Sequence, residues 1–353
     1  MSPADSPPLA DLIAPLAEGR ELTPAQIEAA VDALAGDREP DTAKAAFLRA
    51  LRVKGETVRE IAGFARALLA RAVDPQIDAA KLSGPLLDVC GTGGDRLNLF
   101  NVSTTASFVV AAAGVVVVKH GNRAITSRSG GADVLSVLGV RLDLPPAELR
   151  RCVEEVGMGF LFAPHYHPAF QAIAPVRRLL AAEGVSSVFN LLGPLLNPAW
   201  PAHQLVGVHS LALTRVFAGV LRELGRQSAW CVHGAGGMDE FSTLGPSHVT
   251  GFDSPARAIF DRVFEPADAG LPPVDDLAPL QGGGPTENAV TLAGILAGEV
   301  AGPRLDLVLL NAAAALVVAG VASDLAGGVD LARTQIRDGA AQKKLRALAA
   351  FGA

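Results

Sequence analysis

Aromatic side chains are scarce in this sequence of 353 residues, 5% of the total, which argues against a recognition surface built on stacked rings. Cysteine is sparser still. Cys90, Cys152 and Cys231 lack the spacing of a metal site, and Cys90 and Cys231 lie in apolar strand-like runs, so they read as small buried thiols in a reducing compartment. Net positive charge is also missing: the formal charge of -6 opposes non-specific attraction to nucleic acid or anionic lipid, and confines any phosphate site to a local cleft. The first residues, Met1-Ser2-Pro3-Ala4-Asp5, carry no basic segment leading into an apolar core. The apolar run Phe108 to Val118 is too short to span a bilayer, and Leu307 to Ala322 is interrupted by Asn311 and rich in alanine, as in a buried helix. The expected setting is cytoplasmic, with neither a nucleic acid nor a membrane as partner.

What the sequence does have is Ala, Val and Leu in quantity, the filling of an α/β protein with buried parallel strands. From Leu9 to about Ala80 the apolar residues recur at helical spacing (Ile27, Val31, Leu34; Ile61, Phe64, Leu68), with start signals at Thr23-Pro24, Asp41-Thr42 and Thr57. From Leu86 onward, short apolar runs followed by glycine or polar loops alternate with Ala-rich helices, which predicts a mostly parallel sheet covered by helices. The expected strands are Leu86 to Cys90, Val115 to Val118, Phe160 to Ala163, Leu205 to Val208 and Ala229 to His233. The Pro- and Gly-rich stretch Glu265 to Gly284 reads as a linker or mobile loop. The domains expected are a helical one over 1–80 and an α/β one over 81–353.

Five segments carry chemistry. Gly91-Thr92-Gly93-Gly94-Asp95 follows a strand, where glycines let backbone N–H groups approach phosphate oxygens. It is neither a dinucleotide fingerprint, whose third glycine would fall on Arg96, nor a Walker loop, which needs Gly-Lys-Ser/Thr. An ordinary glycine turn is the alternative. Next, Asn101-Val102-Ser103-Thr104-Thr105 precedes an Ala/Val-rich helix, where a Ser or Thr cap and free N–H groups suit an anion, or simply start a helix. Lys119-His120-Gly121-Asn122-Arg123 comes directly after the second strand, which a right-handed crossover places beside the first; it makes a cationic wall or a solvated loop. Ser127-Arg128-Ser129-Gly130-Gly131-Ala132-Asp133 then opens a further helix or serves as a flexible link. Last, Asp239-Glu240 follows the fifth strand. Adjacent carboxylates are hard oxygen ligands that suit magnesium completed by substrate phosphates, though such pairs also occur merely solvated.

With these segments in this order, the chain resembles the anthranilate phosphoribosyltransferases. Further matches are Phe162 to Ala169, Phe189 to Pro198 and Glu287-Asn288-Ala289, so the resemblance covers nearly the whole chain. It implies a fold of the nucleoside phosphorylase/phosphoribosyltransferase type. A small all-helical N-terminal domain, joined by helices from about 168–200, meets a large α/β domain in a homodimer, with phosphoribosyl diphosphate and two magnesium ions between them. It further implies that Gly91, Thr92, Gly94, Asp95, Asn101, Ser103, Thr104, Lys119 and Ser129 line the sugar diphosphate. Lys119 would steady the leaving group, while Asp239 and Glu240, helped by Ser103, would bind Mg2+. Gly91, His120, Asn122, His167 and Arg177 would face anthranilate, with Arg177 on its carboxylate. The implied reaction moves the phosphoribosyl group to the amine of anthranilate, a step towards tryptophan.

The sequence departs from the family pattern twice. Gly184-Val185-Ser186-Ser187 stands where an arginine is usual, which puts acceptor affinity in question, and Gly236 replaces an aspartate, which implies altered loop stiffness. Rival readings are a pyrimidine nucleoside phosphorylase-like enzyme, which would carry Ser after Lys-His in place of Gly121-Asn122, and a non-catalytic relative that binds nucleic acid.

Overall fold

The structure, a computed structural model, describes residues 7–124 and 128–352. The N-terminal residues 1–5 discussed above, and Ser127 of the Ser127 to Asp133 segment, lie outside them. In chain order come α1 (Leu9–Ala17), α2 (Pro24–Ala35), α3 (Asp41–Lys54), α4 (Val58–Leu69), β1 (Leu86–Gly91), α5 (Val102–Ala112), β2 (Val116–Gly121), α6 (Gly131–Val137), α7 (Pro146–Val156) and β3 (Met158–Phe162). There follow α8 (Ala163–Tyr166), α9 (Pro168–Ala182), α10 (Phe189–Leu192), β4 (His203–Gly207), α11 (Leu211–Glu223), β5 (Ser228–Gly234), β6 (Ser247–Phe252) and β7 (Phe260–Phe264). Four helices end the chain: α12 (Pro285–Leu296), α13 (Pro303–Val318), α14 (Leu325–Arg337) and α15 (Ala340–Ala350). No helix among the described residues is long and apolar enough to cross a membrane.

Two compact units result, one of residues 1–73 and 164–198, the other of 74–163 and 199–353. In the helical unit, Thr23 and Thr57 start α2 and α4 through capping boxes with Gln26 and Glu60, each side chain answering the other's backbone N–H. Glu60 also accepts from the Leu22 amide (2.9 Å) and the buried Lys54 ammonium (2.6 Å), so its buried charge is fully partnered. α1 packs on α3, α2 on α4, and α9 lies against both α2 and α3.

At the start of α9, His167 is 4% exposed and its Nε2 donates to the Leu196 carbonyl at 2.8 Å. Burial pushes its imidazole down to about 4, so it is neutral in the folded protein at pH 7. Because the unfolded chain takes up this proton near pH 6.5 and the folded chain only near pH 4, stability is full above pH 6.5 and falls as pH drops. The expected loss from this one side chain is about 2–3 kcal/mol by pH 4.5. Urea unfolding of the wild type and His167→Gln at pH 7.5 and 4.5 checks it; equal pH slopes would show that His167 is not the cause.

The α/β unit is built on a seven-stranded sheet of order β3-β2-β1-β4-β5-β6-β7. The first five are parallel, and β6 and β7 are antiparallel additions. α5 packs on α13 and on β1 and β2, α7 on β3, and α11 on β5 and β6. The strand bounds correct the sequence reading at one consequential place. The β2–β3 ladder runs on through Lys119↔Phe160 to Gly121↔Phe162, so Lys119 lies within the strand instead of after it. The stretch from Glu265 to Gly284 is likewise no loose linker. Val274 donates to Thr243 O (2.8 Å), Gly282 to Asn98 O (2.7 Å), and Arg304 grips the carbonyls of Pro279 and Gln281.

Candidate active site

From β1 the sheet grows one way through β2 and β3 and the other way through β4 and β5. Loops leaving β1 and β4 therefore part and open a crevice at the carboxyl ends of the strands, where open α/β sheets bind ligands. The glycine turn lies there. Its backbone passes through left-handed conformations at Gly93 and Gly94 (φ +66° and +90°) and again at Arg96 and Asn98 (+60° and +54°), a winding that brings several N–H groups to one side. Thr92 ties the turn to β4: its amide donates to Gly207 O at 2.9 Å, and its Oγ1 lies 3.0 Å from His209 Nδ1. His209 was not among the residues singled out from the sequence. Its signal is position, just past the expected strand Leu205 to Val208 at the reversal of strand order.

The acidic pair reaches this crevice from β5. Asp239 Oδ2 accepts from the Gly93 amide at 2.6 Å, and Glu240 Oε1 from the Ser103 amide at 3.2 Å, so the glycine turn and the α5 N-terminus both already hold a carboxylate. Such proximity depends on Gly207, where a Cβ would fall 1.5 Å from the Asp239 carbonyl oxygen. Gly207→Ala must therefore move the backbone of the acidic pair. We expect at least about a hundredfold loss of turnover, since a displacement of 1 Å can cost that much. Steady-state rates checked against melting temperature measure it; a folded, fully active variant would show that the pair's placement is not critical.

α5 is not capped as the sequence suggested. Its N-cap is Asn101, with no side-chain cap bond, and Ser103 sits in the first turn, which leaves the Ser103 hydroxyl facing Lys119 Nζ at 3.1 Å. Thr104 is buried, its Oγ1 3.1 Å from where a Cβ on Gly131 would stand. Lys119 is 5% exposed and also donates to the Val89 carbonyl. The cationic wall thus divides, because Arg123 turns outward to Asp133 (3.0 Å) and over the Phe162 ring. Asn101 and Ser129 come together, with Ser129 Oγ donating to Asn101 Oδ1 at 3.2 Å, and Asn288 Nδ2 bonds the same oxygen at 3.0 Å. Asn288 matched the family pattern without a role; here it supports Asn101.

Burial, and then the charge of Asp95, push the Asp239 carboxyl above its ordinary range; burial and the charge of Asp239 do the same to Glu240, against the pull of Lys119. The negative charge gathered here is greater than the protein itself neutralises. A divalent cation with hard-oxygen preference fits that surplus. Among the described residues no three His, Cys, Asp or Glu side chains form a cage of their own.

Of the expected acceptor residues, His120 is the penultimate residue of β2, its amide donating to Asp88 Oδ1 at 3.4 Å, and Asn122 is exposed just beyond the strand. His167 and Arg177 belong to the helical unit. His167 has its Nε2 bonded to the Leu196 carbonyl, as described above. Arg177 is half-buried, its guanidinium over the Phe170 ring at 5.8 Å, and among the described residues it pairs with no carboxylate; burial lowers its pKa. Ser186 is exposed. Gly236 takes a left-handed φ of +78°, a conformation that aspartate tolerates better than most residues with a side chain.

A phosphate-suited crevice at the reversal of a parallel sheet, edged by a buried lysine and an acidic pair, suits an enzyme acting on a phosphorylated substrate, and the family models make that class glycosyl transferase. Residues 83–342 match the model of the glycosyl transferase family, a/b domain, and residues 10–72 that of its helical bundle domain. An anthranilate phosphoribosyltransferase of Anaeromyxobacter dehalogenans is 49% identical over 96% of this chain and 97% of its own length. The crystal structure of the Thermus thermophilus anthranilate phosphoribosyltransferase is 40% identical with a TM-score of 0.87, covering 97% of this chain and 99% of that one. The Saccharomyces cerevisiae enzyme is 27% identical. Its complex with PRPP and Mg has a TM-score of 0.84, covering 96% of each chain, and its complex with 4-fluoroanthranilate also 0.84, covering 99% of this chain and 98% of that one. The chain belongs to the anthranilate phosphoribosyltransferase family.

Proposed function

We propose that this protein transfers the phosphoribosyl group of 5-phosphoribosyl 1-diphosphate to the amine of anthranilate, releasing diphosphate, as a homodimer in the cytoplasm. The observation that carries the reading is the convergence of the Gly93 and Ser103 amides, Lys119 and the Asp239-Glu240 pair in one crevice. Breaking the bond from ribose C1 to the diphosphate leaves an oxocarbenium-like sugar and a strongly anionic leaving group, so stabilising that charge is the main task. The amides of the glycine turn and of the α5 N-terminus other than those of Gly93 and Ser103, which hold the acidic pair, donate to phosphate oxygens, and Lys119 adds a fixed ammonium beside them. Asp239 and Glu240, with Ser103, would hold magnesium, which when bound would supply further neutralisation of the diphosphate. Asn101 and Ser129, braced by Asn288, line the sugar side.

The amine of anthranilate is largely neutral at pH 7, so the protein has to orient it more than deprotonate it. Arg177, a half-buried cation that pairs with no carboxylate among the described residues, suits the acceptor's carboxylate, the role that the family resemblance gives it, as it gives His120 and Asn122 the ring. The exposed Ser186 brings no second cation, which predicts a weaker hold on the acceptor. Mixing the protein with magnesium, phosphoribosyl diphosphate and anthranilate should extinguish the fluorescence of anthranilate. No loss at micromolar enzyme would overturn the proposal.

A further inference from the structure

Asn311 is the one polar side chain in the apolar stretch Leu307 to Ala322, and nothing above uses it. It lies on α13 with no exposed surface, among residues that are buried throughout the helix's middle turns. A buried amide is costly unless each of its hydrogen-bonding groups finds a partner. Here they do. The Phe241 amide donates to Oδ1 at 2.9 Å, while Nδ2 donates to the Phe241 carbonyl at 3.0 Å and to the Leu307 carbonyl at 2.9 Å. A backbone N–H can only donate and a carbonyl only accept, so these bonds fix which end of the amide is oxygen.

The side chain thus holds both polar groups of one residue, Phe241, as a neighbouring strand would. Phe241 follows directly on Asp239-Glu240, and its ring is buried against Trp230 and Phe264. On the other flank, Gly234 and Met238 exchange backbone bonds of 2.9 and 3.2 Å. The acidic pair is therefore clamped at both ends. A leucine at 311 would fill the helix face equally well but could not hold a peptide group.

We propose that Asn311 is a positioning residue: through Phe241 it sets Asp239 and Glu240 in the register that a divalent cation and a diphosphate require. This rests on the metal reading of the acidic pair. The test compares full-length Asn311→Ala with Val308→Ala, a buried cut on the same helix that leaves the Phe241 bonds intact. Asn311→Ser takes its place if the alanine variant does not fold.

Three quantities are read: the magnesium concentration for half-maximal transfer, the exchange of the Phe241 amide in substrate-free protein by mass spectrometry, and the melting temperature. The Asn311 variant should need about tenfold more magnesium, as when a group orienting a metal ligand is removed. Excess magnesium should restore turnover, KM for anthranilate should stay put, and the Phe241 amide should exchange about tenfold faster or more, given the lost hydrogen bond. Val308→Ala should lower the melting temperature without moving the other two. An Asn311 variant that melts lower but keeps the wild-type magnesium requirement and Phe241 exchange overturns the inference alone. A wild-type enzyme indifferent to magnesium overturns the metal reading together with it.

Discussion

Turnover of a Lys119→Met variant should fall by about two to three orders of magnitude, the usual effect of deleting one fixed donor to a developing anion. Methionine keeps most of the buried volume and removes the ammonium. The bonds lost are those to the Val89 carbonyl and the Ser103 hydroxyl, worth ~1–3 kcal/mol together, so a domain of ordinary stability should remain folded. Lys119 also draws the Glu240 carboxyl down, and without it Glu240 should hold its proton more tightly and bind magnesium less well. Single-turnover rates across a magnesium series, with circular dichroism melts, separate these effects. A folded variant with parental turnover would remove Lys119 from the mechanism.

The double change Asp239→Asn and Glu240→Gln should raise the magnesium requirement by at least about a hundredfold, or abolish transfer, since both carboxylate ligands are gone. It should also make the substrate-free protein more stable. Both carboxyls have raised values in the folded state, so the folded protein binds more protons than the unfolded one above the ordinary carboxylate range. The penalty is absent below about pH 4 and grows to its full size once pH has passed the raised values. Neutral amides escape it while keeping an oxygen for the Gly93 and Ser103 amides. For a chain of this length the melting temperature near pH 8 should rise roughly 1–2 °C for each kcal/mol of repulsion relieved. Melts at pH 5 and pH 8 check the sign: a double variant less stable than the parent at pH 8 would refute the account of the pair as surplus charge.

The parallel strands were legible in the sequence because each is buried on both faces and reads as an apolar run ending in glycine or a polar residue. β7 was not. It is an edge strand with Asp261, Arg262 and Val263 exposed, and it offers no apolar run to find. The extension of β2 through Lys119 was hidden for a related reason: pairing with β3 continues the strand where its hydrophobicity stops. Among site residues, the glycine turn and the acidic pair could be read because their chemistry is local. Asn288 and Asn311 act only through partners far along the chain, Asn101 and Phe241, and no spacing rule joins such pairs. His209 needed the order of strands before its position meant anything.

The bond from Gly93 to Asp239 joins residues 146 positions apart. Closing so long a loop early in folding forfeits chain entropy that few contacts repay, so the two halves of the cradle should meet late. On the ribosome the turn is finished well before the acid that completes it, a delay of roughly 7–30 seconds at about 5–20 residues per second. Throughout that interval the nascent chain carries a glycine turn whose N–H groups still lack their carboxylate. Return of activity after refolding therefore marks the end of folding, later than the return of helix.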